Sequence, residues 1–307
     1  MHRGAFQGGI LALWLVSMGW LVRYDAYPEY FTSSVPGYRA LLQDDLLALD
    51  SWWKISIQGV HAGYMRSWIS IQENDPVEHY VVENETVMRI RLLGSPQSIA
   101  ISMQAALDVG YQLHSFRCSA RAGPYRTELH GRRTQGRRFR VEINMGDSRS
   151  SVDMEIPDDT LIYAPITEMA FRRMKPGDIL TMRTFNPLTQ ENMPSRVRAL
   201  RREALNTASG MTQATVLSIE SFGVEFLSWI DADGRVLRQE SPLGVLETST
   251  AAECLKFKLG DADAPDPLRT LDPISLATAL GRLGAKFLAN ESNLTENATQ
   301  VVPHDPH

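Results

Sequence analysis

The stretch SWWKISIQGVHAGYMRSWISIQE, residues 51–73, is where the chain changes to a period of two. Trp53, Ile55 and Ile57 share one face while Lys54, Ser56 and Gln58 share the other, and Met65, Ile69 and Ile71 repeat the pattern after Gly59–Gly63. Alternation of this kind marks a half-buried strand. Two such runs around a glycine-bounded segment predict a β-hairpin with its loop at GVHAG.

The alternation continues along the chain. SIAISMQAAL (98–107) puts Ile99, Ile101, Met103, Ala105 and Leu107 on one face. RFRVEINM (138–145) does the same with Phe139, Val141, Ile143 and Met145, and SVDMEI (151–156) with Val152, Met154 and Ile156. Further runs follow at 214–221, 223–230, 235–240 and 245–248, divided by turn signals such as TQG, MGDSR and DADGR. About eleven or twelve strands with one apolar face make an antiparallel meander that has to curl or close. The expected fold is therefore mainly β, a large curved antiparallel sheet with one or two covering helices, plus an N-terminal membrane helix.

Upstream, an uncharged run from Gly8 to Val22 lies between Arg3 and Arg23, with Trp14, Trp20, Tyr24 and Tyr27 at interfacial positions. With no small-residue cleavage pattern after it, residues 1–34 read as an uncleaved signal anchor, a cleaved signal peptide being the alternative. The expectation is a single-pass bacterial inner-membrane protein with its body on the periplasmic side. Residues 35–50 space Tyr38, Leu41, Leu42, Leu46 and Leu49 as a membrane-proximal helix. Residues 51–259 form the β domain, with a helix inserted near 165–175. An acidic linker (260–272), a C-terminal helix (273–290) behind Asp272 and Pro273, and a disordered tail (291–307) complete the organisation.

Three segments carry a resemblance: the Gly59, Gly63, Tyr64 hairpin, the Asp231–Val236 turn and Ser241–Gly244. Together they resemble the N-terminal, non-catalytic region of bacterial membrane-anchored transglutaminase-like proteins. That region is similar to exported β-proteins of unknown function with the open barrel of lipoprotein carriers such as LolA. The resemblance implies the fold and an exported location. It implies no catalytic residue, because the residues after Cys254 read as linker, helix and tail rather than as a domain with Cys, His and Asp.

The net charge of −5 argues against a general nucleic-acid binder. Two cysteines, Cys118 and Cys254, are either buried apolar side chains or one disulfide, and they have no metal-type spacing. His114 shares a strand face with Cys118 at a spacing of about 13 Å, too far for a nucleophile–base pair. The chain has no nucleophile elbow, no zinc helix and no phosphate loop, so neither a metal nor a cofactor is expected.

Two constellations remain. Met88, Ile99, Ile101, Met103, Phe139, Val141, Met145 and Met154 fall on the inward face, where flexible Met side chains suit either an adaptable apolar pocket or an ordinary core. Arg132, Arg133, Arg137, Arg138 and Arg140 surround one turn, within a segment (121–149) holding eight Arg against three acids. They suit a solvated loop, or contact with anionic headgroups or an acidic partner. The expected function is a non-enzymatic, membrane-anchored exported protein that binds an apolar ligand such as lipid, or serves as an accessory subunit of an envelope complex. The alternative is an envelope hydrolase or transferase related to the transglutaminase-like cysteine enzymes.

Overall fold

The computed structural model describes residues 33–34, 37–38, 50–92, 94–162, 170–187, 190–207, 210–221, 224–242, 244–257 and 264–266. The expected membrane segment, membrane-proximal helix, linker, C-terminal helix and tail lie wholly or largely outside these residues. Among the described residues no helix is long and apolar enough to cross a membrane.

Sixteen strands among the described residues join into one sheet. They are β1 (Ser33–Ser34), β2 (Asp50–Ile57), β3 (Val60–Ile71), β4 (Tyr80–Leu92), β5 (Ser95–Leu107), β6 (Leu113–Ala122), β7 (Tyr125–Gln135) and β8 (Arg138–Met145), then β9 (Ser148–Glu155), β10 (Thr160–Ile162), β11 (Ile179–Asn186), β12 (Glu191–Thr207), β13 (Gly210–Ser221), β14 (Val224–Ile230), β15 (Val236–Ser241) and β16 (Gly244–Ser249). Antiparallel neighbours run from β11 through β16, across to β2, and on to β9. The long-range join pairs β16 with β2 in the register Thr248 opposite Trp53. β1 and β10 lie parallel along the other side of β11.

That order dictates the curl. β9 is at one end of the strand order and β10 is attached at the other, yet residues 156–159 alone connect them. Four residues span at most about 14 Å, so the sheet has to roll until its ends meet. The Asn192 side-chain amide accordingly donates to the Glu155 carbonyl at 3.0 Å. Tyr38 reinforces the same seam by accepting a bond from the Ile162 N–H at 3.0 Å.

Rolling creates the core. One buried cluster draws on β2 to β8 and on β10 to β15. Phe116 of β6 meets Phe185 of β11 edge-on, ring centroids 5.2 Å apart, and lies 6.3 Å from Phe139 of β8. Phe171 and Met174 enter the cluster at the three-residue spacing of a 3₁₀ turn. In its described part, the helix expected near 165–175 is this single turn, ending at Lys175–Gly177.

Two details of the opening hairpin differ from its sequence reading. The turn is Gln58–Gly59, both with positive φ (54° and 76°), the geometry that matches the twist of paired strands. Val60 to Gly63 therefore belong to β3, where a bulge at Ala62 shifts the register. Gly63 is needed there because a Cβ would lie 2.0 Å from the Val87 carbonyl oxygen. The short helix α1 (Ala251–Leu255) is capped by the Thr250 hydroxyl, which accepts from the Glu253 N–H at 3.2 Å.

Candidate functional site

The period-two pattern places the inward residues of β3 to β6 in continuous cross-strand rows. Met88 lies opposite Ile99, Ile101 opposite Ala120, and Met103 opposite Cys118. The eight residues read as an inward wall are separated by depth. Phe139 and Val141 are fully buried in the main core. Met103, Met145 and Met154 are half-buried at its margin. Met88 and Ile99 are half-buried against a second cluster of Ile55, Ile57, Ala62 and Ile90. Ile101 is also half-buried. The wall is thus sealed at Phe139 and Val141 and retains accessible surface along Met88, Ile99, Ile101 and Met103.

Set into that wall is a buried polar trio. The Asn84 amide donates to the Ser67 hydroxyl at 2.7 Å, and the Thr86 hydroxyl donates to the Asn84 carbonyl oxygen at 3.4 Å. Asn84 lies opposite Met103 and Thr86 opposite Ile101, so the trio abuts the accessible apolar surface. Reading the sequence for apolar residues passes over these three. The signal was available, since Val82, Asn84, Thr86 and Met88 share one face of β4. A second buried hydroxyl chain joins Thr184 to Ser195 at 2.8 Å and Ser195 to Ser221 at 2.6 Å.

The five arginines do not act alike. Arg133 and Arg137 both bind Asp158, at 3.0 and 3.3 Å, which ties the β7–β8 turn to the link between β9 and β10. Arg133 also donates to the Leu113 carbonyl and covers the Phe139 ring. Arg140 forms a two-point pair with Asp153 on β9 at 3.0 and 3.2 Å. Arg132 and Arg138 are exposed with no ion-pair partner among the described residues. Arg132 borders a polar hollow of about 200 Å³ with Arg117, His130, Gln104 and Glu78.

Both cysteines are buried free thiols. Cys118 faces the core from β6, where burial pushes its thiol up to about 12. Burial also raises Cys254 in α1, despite an opposing hydrogen bond from Ser249. Both are protonated at neutral pH, the state in which a thiol is a poor nucleophile. The DADG segment is a turn that Asp231 closes on itself, its carboxylate accepting from the Asp233 and Arg235 N–H groups at 2.9 and 2.8 Å. Among the described residues no three His, Cys, Asp or Glu side chains converge as a metal site.

The fold defines a class: a rolled, barrel-like antiparallel sheet whose inward face carries half-buried Met and Ile side chains. No known family model matches the chain, and no curated protein is similar to it in sequence. Solved structures that resemble it include two of unknown function. One is a beta-barrel-like protein of a domain of unknown function, DUF1849, from Brucella abortus, with 9% identity, a TM-score of 0.45, and coverage of 67% of this chain and 97% of that one. The other is a DUF1089 family protein from Pseudomonas aeruginosa, with 15% identity, a TM-score of 0.30, and coverage of 56% and 87%.

Proposed function

We propose that this is a non-enzymatic, membrane-anchored exported β-protein whose concave wall holds an apolar ligand, such as a lipid, with a polar group at one end. One observation carries the reading: Met88, Ile99, Ile101 and Met103 line the wall half-buried, next to the buried Ser67–Asn84–Thr86 trio. A wall that is apolar, accessible and locally polar has the composition of a ligand site. Unbranched Met side chains let it adapt to its occupant. The N-terminal anchor read from Gly8 to Val22 supports a location at the membrane, where such ligands are abundant.

Native mass spectrometry with lipid extraction, on the full chain in mild detergent, tests this. A stoichiometric lipid is expected on the wild type and is lost in Met103→Glu and in Ile101→Lys. An empty wild type would sink the reading. If it instead retained a second polypeptide, the protein would be an accessory subunit of an envelope complex. Exposed Arg132 and Arg138 favour one additional contact, with anionic headgroups. Their reversal to Glu should then weaken binding to anionic vesicles, while reversal of carboxylate-held Arg140 changes it less.

A further inference from the structure

β9 ends the strand order, and no described strand pairs with its outer side. Met145 and Ser148 flank a two-residue turn and so exchange backbone bonds as a pair. From there the ladder alternates: Ser150, Val152 and Met154 direct their N–H and C=O groups at β8, while Arg149, Ser151, Asp153 and Glu155 direct theirs outward. Two observed bonds fix this phase. The Ile156 N–H reaches back to the Arg137 carbonyl at 2.9 Å, and the Glu155 carbonyl is taken from the other side by Asn192.

Of the usual protections of an edge, β9 has only the charged side chains Arg149, Asp153 and Glu155 on its outer face. β9 contains no proline, no lysine and no bulge, and its inward positions, Ser148, Ser150, Val152 and Met154, carry no charge. It is exposed on both faces, with Val152 at 38%. Its charges have opposite signs at the two ends. Arg149 has no ion-pair partner among the described residues, and Asp153 lies two positions beyond the midpoint at Ser151.

We infer that β9 is a self-association edge, pairing antiparallel with β9 of a second copy about a two-fold axis at Ser151. In that register every outward backbone group from Arg149 to Asp153 is satisfied. Arg149 falls opposite Asp153 of the second copy, twice by symmetry, and Ser150 opposite Val152. Asp153 then lies between its own Arg140 and the incoming Arg149. Glu155, already bonded to Asn192, stays outside the pairing. The contact is one strand wide, well below the area of a stable interface, so the dimer is weak and the measurement has to extend to high protein concentration. The inference is independent of the ligand reading, since no wall residue takes part.

The full chain in detergent is followed by sedimentation equilibrium, with Ser151→Pro and Ser151→Cys beside the wild type. Proline at 151 removes only an outward N–H, which an edge strand tolerates, so its fold and unfolding midpoint are preserved. Expected results are a concentration-dependent dimer for the wild type and a monomer for Ser151→Pro. Ser151→Cys should form a covalent dimer on mild oxidation, because cross-strand positions on the axis meet disulfide spacing. Ser148→Cys should not, and the two native thiols are buried. A wild type that is monomeric throughout overturns the inference. So does a dimer that survives Ser151→Pro, or one that cross-links equally well through Ser148→Cys.

Discussion

Replacing Gly131 with alanine probes the packing that closes the roll. Gly131 of β7 lies opposite Phe116 of β6, and a Cβ there would sit 2.1 Å from Cε1, 2.3 Å from Cζ and 2.7 Å from Cδ1 of the ring. Its φ lies outside the left-handed region, so alanine meets no backbone penalty. In open space the exchange would stabilise by about 0.4–1 kcal/mol through the unfolded chain. The ring cannot retreat, being 1% exposed and wedged between Phe139 and Phe185. Overpacking costs about 1–3 kcal/mol, so Gly131→Ala should be destabilising by about that amount. The decisive comparison is the Phe116→Val background, itself costing about 2–4 kcal/mol, in which all three clashing atoms are gone. There Gly131→Ala should become neutral or stabilising. Urea midpoints from tryptophan fluorescence at constant slope report both effects. An equal cost in the two backgrounds would refute the assignment of the clash to the Phe116 ring.

Three further outcomes are expected. Gly63→Ala should destabilise more than Gly131→Ala, because its Cβ would meet the Val87 carbonyl oxygen and the Met88 Cα at 2.6 Å, neither of which can rotate away; thermal midpoints rank the two. Cys118 carries a thiol raised by burial to about 12. Its stability contribution is complete below the unfolded value of about 8.5 and is lost as pH rises towards 12; the stability gap between wild type and Cys118→Ala should therefore narrow from about pH 8.5 upward, read by urea titration. Asp50 is held below the usual carboxylate range, first by its hydrogen bonds from Arg66. Its contribution is present above about pH 4 and is lost as pH falls through the lowered value, so Asp50→Asn should flatten the acid limb, by under about 1 kcal/mol for so exposed a pair.

The strands β2, β3, β5, β8, β9 and β13 to β16 were legible because apolar and polar residues alternate along most of each one. β11 and β12 were not. In β12, residues 191–207, the run ALRREAL reads as helix former, the inward positions include a small Ala199, and a bulge between Ala199 and Arg201 breaks the alternation midway. What holds it as a strand is pairing with β11 and β13, a tertiary fact. The hairpin turn escaped because Gln58, not a glycine, takes one of its two positive-φ positions. Ser33, Ser34 and Tyr38 read as anchor and helix by hydropathy and spacing, yet they stitch the seam through β11 and Ile162. At the site, the apolar wall was legible from Met and Ile alternation. The polar trio and the division of arginines between Asp158, Asp153 and solvent depended on which strands meet.

The trio separates a ligand site from a core. Ser67, Asn84 and Thr86 are 0%, 5% and 4% exposed and satisfy one another in part. Removing one partner strands the others at about 1–3 kcal/mol, whereas replacing all of them with apolar groups of similar shape is nearly neutral or stabilising. A core under selection for stability alone has no need of them. The triple variant Ser67→Ala, Asn84→Leu, Thr86→Val should therefore unfold at the same or a higher urea midpoint, yet lose the lipid that native mass spectrometry is expected to find on the wild type. A triple variant that is clearly less stable would make the trio part of the structural frame. One that keeps its lipid would leave the wall apolar in function as well as in composition, and would place the ligand's polar end elsewhere.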